Sequence, residues 1–566
     1  MLGEEGESIM HNLGLMGTNI RNTFNLDTIY GFDIATDNLI EAFLTYSDVD
    51  NITIFNETLE NKFDLSNIFF KKKINDIKQF NKKTTYNIVS ELDVIQEAKN
   101  INIDVLHNVG SDNIHMLYYR ECVSNKLVPI THTVHTNFDT LKNSEYIRFI
   151  LLPNRPCDSI ICTSNASVDA TKEIIETLCD KINKVTNGNV KYTGRFDVIP
   201  LGIDLKTYYP RDKFECRKSY DIDNEEFVIL WLGRLSAIDK ADLYPLLLVT
   251  KKLIIDNPEK KIRLILSGTD REKWEYLPSL KNNIHNLNIE SNVSIIMTPD
   301  INVRCCLYSL ADVFVSPIDH IQETFGLTPL EAMACGLPQI VSNWDGYKDT
   351  VIDGHTGFHI PTYISDNINI DKRLSSFLPS NSSKRLILQG YLFSQNVVIN
   401  IEKLESSIQK LIDDPLLKKK MSENSLLRIK ENYSWNIIVS KYMKLWQELT
   451  DISKFETRCK LNYFDSVDLM KIWSSYPSDV ITDETIVKIT NYGNEFYNDS
   501  LKIEYDYKFV HNLQHDQYYK DILSHCKKNI SINDIIKNYN RRERMIVNQA
   551  IIILIKKGFI KVVKIR

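Results

Sequence analysis

Two successive series of short apolar runs, each run followed by a helical stretch, constrain this chain more than any other feature. The first series is NITIF (51–55), IDVLHNV (103–109), VPITHTVHT (128–136), SIICTS (159–164) and FDVIPLG (196–202). Helical segments such as DIATDNLIEAFLTY (33–46) and ASVDATKEIIETLCDKI (166–182) alternate with these runs. The second series is FVILWLG (227–233), IRLILSG (262–268), VSIIM (293–297), DVFVSP (312–317) and PQIVSN (338–343). Runs this rich in Val, Ile and Leu suit parallel strands covered on both faces, with the intervening helices as the cover. Between the two series, IPLGIDLKTYYPRDK (199–213) carries Pro200, Gly202 and Pro210 and reads as a linker. The fold class expected is therefore α/β, with two Rossmann-like doubly wound domains facing a cleft. Ligands of such sheets sit beyond the carboxyl ends of the strands.

Composition narrows the function. At 566 residues the chain needs more than one core. Its 43% hydrophobic and 25% charged residues are those of a globular protein, and a net charge of -6 gives no global basic field for nucleic acid. No apolar run reaches the ~18 residues of a membrane span, and the acidic start MLGEEGESIM is unlike a signal peptide. The ten cysteines show no C-x-x-C spacing and read as reduced thiols of a cytoplasmic protein.

Three domains are expected. Residues 1–203 form an N-terminal Rossmann-like domain, closed by a returning amphipathic helix at 434–449 with Ile437, Ile438, Tyr442, Leu445 and Trp446 at helical spacing. Residues 204–433 form a second Rossmann-like domain, in which the Asn- and Ser-rich stretch 362–400 reads as an inserted loop and helix. Residues 451–566 lack the βα rhythm and form a mainly helical accessory domain whose end reads helix, turn, helix, strand, a winged-helix-like pattern. Its basic cluster Arg541, Arg542, Arg544, Lys556, Lys557, Lys561, Lys564 and Arg566 stands against Glu543 alone. A solvated helix face is the plain reading. The functional one is a surface for an acceptor, a protein partner or a peripheral membrane contact.

The chemistry concentrates in ETFGLTPLEAMACG (323–336). Glu323 and Glu331 stand eight apart, and Pro329 suits the first turn of a helix. Backbone amides of Thr324, Phe325, Gly326 and Leu327 at that helix start would form an anion nest. Two carboxylates beside such a nest describe a nucleotide-diphosphate sugar. Upstream, GRLSAIDK places Arg234 and Lys240 just after a strand that ends at Gly233. Alone they would be a solvated surface pair; in a cleft they would stabilise charge on a leaving phosphate. In THTVHT, His132 and His135 fall on opposite strand faces. The Asp-x-Asp pairs at 48–50 and 221–223 lie between elements, where Asp favours turns, so no metal is expected.

These blocks together resemble the E-x7-E retaining glycosyltransferases of family 4, which have the GT-B fold. The resemblance spans about residues 27–450 and rests on DVLHNV, TVHT, DVIPLGID, LWLGRLSAIDKAD, ETFGLTPLEAMACG and DGHTGFHIP, in family order. It implies retaining transfer of a sugar from a nucleotide-diphosphate sugar, with UDP favoured, to an acceptor hydroxyl, with no cofactor and no metal. His135, rather than His132 or His107, would sit by the anomeric centre. Arg234 and Lys240 would hold the diphosphate. Glu323 would orient the sugar, and Glu331 would take ribose hydroxyls. Removing the Glu323 charge is then expected to leave affinity for free nucleoside diphosphate unchanged. Gly31, which the sequence places just before a helix, would approach the diphosphate from the N-terminal domain, although Phe32 replaces the family's second glycine. Met297 would border the base. The acceptor stays open among saccharide, lipid-linked sugar, small molecule and polypeptide. A phosphorylase lacks its pyridoxal-phosphate lysine context here. The competing reading outside catalysis is an inactive sugar-nucleotide-binding scaffold whose C-terminal domain binds a partner.

Overall fold

The computed structural model describes residues 10–16, 31–56, 84–90, 101–110, 116–117, 119–124, 126–137, 140–238, 240–270, 276–297, 300–320, 323–365, 390–457, 472, 475–502, 515–540 and 543–564. The chain divides into two compact units, 1–464 and 465–566.

The first unit contains two parallel sheets. One has seven strands: β1 (Asn12–Met16), β2 (Asn51–Asn56), β3 (Thr85–Ser90), β4 (Val105–Asn108), β5 (Ile130–Val134), β6 (Ser159–Cys162) and β7 (Arg195–Val198), in the order β3-β2-β1-β4-β5-β6-β7. The other has six: β8 (Phe227–Leu232), β9 (Ile262–Gly268), β10 (Val293–Met297), β11 (Val313–Ser316), β12 (Gln339–Ser342) and β13 (Gly357–Ile360), in the order β10-β9-β8-β11-β12-β13. Both are doubly wound, and each reverses direction once, at β1/β4 and at β8/β11. Crevices open at such switch points. The two Rossmann-like domains make a GT-B fold.

The apolar runs of the sequence all became strands. The central strand β1 was not among them. Its Gly14 interrupts the apolar run for a packing reason: a Cβ there would lie 2.8 Å from Leu106 Cδ2 and 3.0 Å from Ile103 Cδ1. Strand β3 was also missed, because it lies at the sheet edge with Thr85 and Asn87 exposed. Gly31 does not precede its helix; it is the first residue of the helix Gly31–Tyr46.

The chain crosses between the domains twice, and the crossings lie side by side. Ile203 N–H donates to Tyr433 O at 2.8 Å, and a Cβ on Gly202 would lie 2.4 Å from the Trp435 ring. After the second crossing, the helix Trp435–Ser453 packs on the first sheet through Trp435, Ile438, Val439, Tyr442, Leu445, Trp446 and Leu449. Ile437 lies off this stripe and is half-buried; Val439 takes its place. The docking is polar as well as apolar. Tyr442 Oη lies 2.9 Å from Thr133 Oγ1, and Trp446 Nε1–H donates to Thr131 Oγ1 at 2.9 Å. His107 is buried between these rings, with Nδ1 2.9 Å from Thr131 Oγ1. Burial holds its pKa down to about 3, so it serves as a neutral structural ring.

The stretch 362–400 closes on itself rather than forming only a loop and helix: β14 (Thr362–Ile364) pairs antiparallel with β15 (Val397–Ile399). Residues 366–389 between them lie outside the described residues.

The second unit has its own core, built from Val487, Ile489, Tyr519, Ile522, Leu523, Val547, Ile551 and Leu554 among others. Its sheet runs β17-β16-β18, with β16 (Ile486–Ile489), β17 (Ile530–Ser531) and β18 (Ile560–Lys564) antiparallel. Helices Ile532–Ile536 and Arg544–Lys556 precede β18, giving the helix, helix, strand order. The partner of β18 comes from the start of the unit, before the helices, rather than from a hairpin after them. Arg541, Arg542 and Arg566 lie outside the described residues; Arg544, Lys556, Lys557, Lys561 and Lys564 are exposed.

Candidate functional site

The β8/β11 switch point gathers the charged residues. Strand β8 ends at Leu232, and Gly233, Arg234 and Lys240 follow on its loop; strand β11 ends at Ser316, and its loop leads to Glu323. Because β8 and β11 are neighbours, the two loops meet. Lys240 Nζ and Glu323 Oε2 form an ion pair, with side chains only 15% and 17% exposed. Gly233 and Gly268 are glycines because their backbones touch: a Cβ on Gly268 would lie 1.6 Å from Gly233 O. Asp319 ties the loops a second time, accepting the Asp242 N–H at 3.2 Å. Burial, with the Asp242 charge adding to it, pushes the Asp319 carboxyl up to about 7.

Past Glu323 the chain turns into the helix Leu327–Ala334. Gly326 caps it at φ +86, in the left-handed region, and a Cβ there would lie 2.1 Å from the Tyr347 ring. Both constraints select glycine. Phe325 is buried in the domain core, so only its backbone can face a ligand.

This loop also clasps the N-terminal domain. Thr324 Oγ1 donates to His135 O at 2.7 Å. Ser164, the N-cap of helix Asn165–Thr186, directs its hydroxyl toward Thr324 O at 3.0 Å and Asp345 Oδ1 at 3.1 Å. Asn165 N–H donates to Asp349 Oδ2 at 2.6 Å. Burial, with the Glu323 charge adding to it, pushes the Asp345 carboxyl up to about 7, and the Ser164 hydroxyl opposes the shift. His135 is half-buried, with Nε2 3.0 Å from Val109 O. A carbonyl only accepts, so Nε2 carries the hydrogen in this contact. His132 is buried within β5.

Glu331 has a set of partners separate from that of Glu323. It is buried. Tyr208 Oη–H donates to its Oε1 at 3.0 Å, Tyr308 Oη–H donates to its Oε2 at 2.7 Å, and Arg304 Nη2 pairs with the same Oε2. Met297, 39% exposed, ends β10 just before the helix Ile301–Leu310 that carries Arg304 and Tyr308.

The structure therefore brings Lys240 to Glu323 and Thr324 to His135, and sets Glu331 among residues that sequence reasoning did not single out. Arg304, Tyr208, Tyr308, Ser164, Asp319 and Asp345 were all missed. One signal was present: an arginine inside the apolar helical run INVRCCLYSL calls for a buried partner. The Asp-x-Asp pairs at 48–50 and 221–223 precede β2 and β8, at the strand edges opposite this site.

Residues 212–389 match the family model described as glycosyl transferases group 1. This segment is a glycosyl transferases group 1 domain. It contains β8 to β13 and the Lys240–Glu323 pair. D-inositol 3-phosphate glycosyltransferase 2 of Catenulispora acidiphila is 27% identical over 237 residues, covering 41% of this chain and 53% of that one. The D-inositol 3-phosphate glycosyltransferase of Rhodococcus jostii is 31% identical over 169 residues, 29% of this chain and 35% of its own length. The chain thus spans about half the length, or less, of these curated relatives. Among solved structures, Anabaena HepE in complex with UDP and glucose aligns over 78% of this chain and all of its own, at 15% identity and a TM-score of 0.49. Among the described residues no helix is long and apolar enough to cross a bilayer.

Proposed function

We propose that this protein is a retaining glycosyltransferase that moves a sugar from a nucleotide-diphosphate sugar, a UDP-sugar in the favoured case, to an acceptor hydroxyl. The observation that carries the reading is the meeting of Lys240 and Glu323 at the β8/β11 switch point of a glycosyl transferases group 1 domain.

The chemistry follows from the charges. The bond between the anomeric carbon and the β-phosphate oxygen breaks, and its electron pair leaves with the nucleoside diphosphate. Arg234 and Lys240 stabilise that charge in a partly buried cleft, where fixed cations act more strongly than in water. Glu323 accepts from sugar hydroxyls and fixes the sugar's orientation. The acceptor oxygen forms the new bond on the face the leaving group vacates, and its proton passes to the departing phosphate oxygen. The anomeric configuration is retained. His135 bounds the sugar from the N-terminal domain. Its position depends on Thr324, so the clasp between the domains sets the distance from sugar to phosphate cations. Glu331 takes the ribose, Met297 borders the base, and Gly31 starts the helix facing the diphosphate. Two protein cations serve the phosphates, so the transfer proceeds without a metal.

The test is product analysis with UDP-, GDP-, ADP- and dTDP-sugars. The expected result is nucleoside diphosphate release with one of them, slow free-sugar formation without acceptor, and the same rate after EDTA. An inverted product, or strict Mn²⁺ or Mg²⁺ dependence, overturns the reading of mechanism.

A further inference from the structure

Glu331 is held from three directions. Tyr208 comes from the linker between the domains, while Arg304 and Tyr308 stand four apart on one helix and so share a face. A carboxylate has two oxygens and about four acceptor places. Three are filled: one on Oε1 by Tyr208, and two on Oε2 by Tyr308 and Arg304. Among the described residues nothing else reaches the carboxylate, and one place is left, on Oε1. Arg304 is fixed in turn. Its guanidinium carbon lies 5.9 Å from the centre of the Tyr208 ring, and its side chain is 20% exposed. Its Nε is buried without a hydrogen-bond partner among the described residues. The contacts that fix the arginine are therefore those to Glu331 and Tyr208, made at the expense of one of its own donors.

We propose that Arg304 is a positioning residue for ribose recognition: by occupying Oε2 together with Tyr308, it restricts Glu331 to a single ribose hydroxyl, taken on Oε1. This rests on the reading that Glu331 faces the donor's ribose. Two vicinal hydroxyls bound to both carboxylate oxygens are incompatible with the Arg304 contact. The nucleotide site then tells the 2′-hydroxyl from the 3′-hydroxyl, and the distinction belongs to Arg304 acting through Glu331.

Calorimetric titration of the full-length protein with UDP, 2′-deoxy-UDP and 3′-deoxy-UDP tests this; the guanosine or adenosine series replaces these if GDP or ADP binds more tightly. One deoxy analogue should bind about tenfold more weakly than the parent, as loss of a hydrogen bond to a charged group gives, and the other within about twofold. In Arg304→Leu the ratio between the two analogues should collapse to about twofold. Arg304→Lys keeps the charge without the planar fork and should reduce the ratio at least threefold; it also serves if the leucine variant does not fold. A merely structural arginine would lower thermal stability and leave the ratio unchanged, and that result overturns the proposal. Equal losses with both analogues in the wild type overturn it too, because Glu331 would then be bidentate. Should neither analogue lose affinity, or no nucleoside diphosphate bind, the ribose reading of Glu331 itself fails and the inference falls with it.

Discussion

Replacing Glu323 by glutamine should separate nucleotide binding from turnover in a way the sequence did not suggest. In the structure Lys240 is not waiting for a phosphate; it is paired with Glu323, and both side chains are more than four-fifths buried. A diphosphate must compete with that carboxylate for the ammonium. Glutamine keeps the shape and removes the competing charge. A hydrogen bond to a charged group is worth about 1.5–3 kcal/mol, and the neutral amide oxygen still recovers part of it. The net gain for the phosphate is then about 1 kcal/mol, or about fivefold tighter binding of free nucleoside diphosphate. Turnover should move the other way, falling by about two orders of magnitude as sugar orientation is lost. Calorimetry gives the first quantity and initial rates with saturating donor give the second. If Glu323→Gln binds nucleoside diphosphate several-fold more weakly than wild type, the competition argument is wrong. Glu323 would then support phosphate binding rather than compete with it.

The same geometry sets the outcome of other perturbations. Lys240→Ala or Arg234→Ala should cut turnover by about two to four orders of magnitude, and the double variant should fall short of the product of the two, as stopped or steady-state kinetics will show. Trp446→Ala removes a fully buried ring and its bond to Thr131, so it should lower the stability of the first unit by about 3–5 kcal/mol in denaturant unfolding. Asp319 and Asp345 hold their protons more tightly when folded than unfolded, so the native state is favoured at acid pH; that advantage declines as pH rises from about 4 through about 7, and Asp345→Asn and Asp319→Asn should each flatten the stability–pH curve there. His107 has the opposite sign, contributing stability above about 6.5 that is lost as pH falls toward about 3, so thermal melts must compare each variant with wild type at every pH. Finally, Arg155 donates to Thr457 O at 2.8 Å and pairs with Glu456, so removal of residues 465–566 should leave a folded, donor-hydrolysing protein, whereas a cut after 450 should lower its melting temperature.

The architecture was legible where hydrophobic patterning alone decides it. Fully buried parallel strands such as Phe227–Leu232 have no polar face and announce themselves. Strand β1 did not, because close packing on Leu106 and Ile103 demands Gly14 in the middle of the sheet. Ile437 failed for a related reason: the spacing of apolar residues gives a helix face only to within one position, and Val439 filled the stripe instead. At the site, Lys240 and Glu323 were legible as charged residues after strand ends, but their pairing was not, since it depends on β8 lying beside β11. The cage around Glu331 is assembled from Tyr208, Arg304 and Tyr308, which lie up to 123 residues away in sequence. Ser164 and Asp345, 181 residues apart, meet only because the two domains close on each other. Long-range polar contacts of this kind leave no periodic trace in a chain.

The proposed mechanism stands or falls on whether Lys240 and Arg234 carry the charge of a departing nucleoside diphosphate in a retaining transfer. Proton NMR of the anomeric signals, followed in real time with wild type and the Lys240→Ala, Arg234→Ala double variant on the same nucleotide-sugar, measures it directly. Wild type should form product, or free sugar at first appearance, with the donor's own anomeric configuration, and the double variant should bind the donor's nucleoside weakly and release almost nothing. An inverted first product, or a double variant that turns over at the wild-type rate, would contradict the claim.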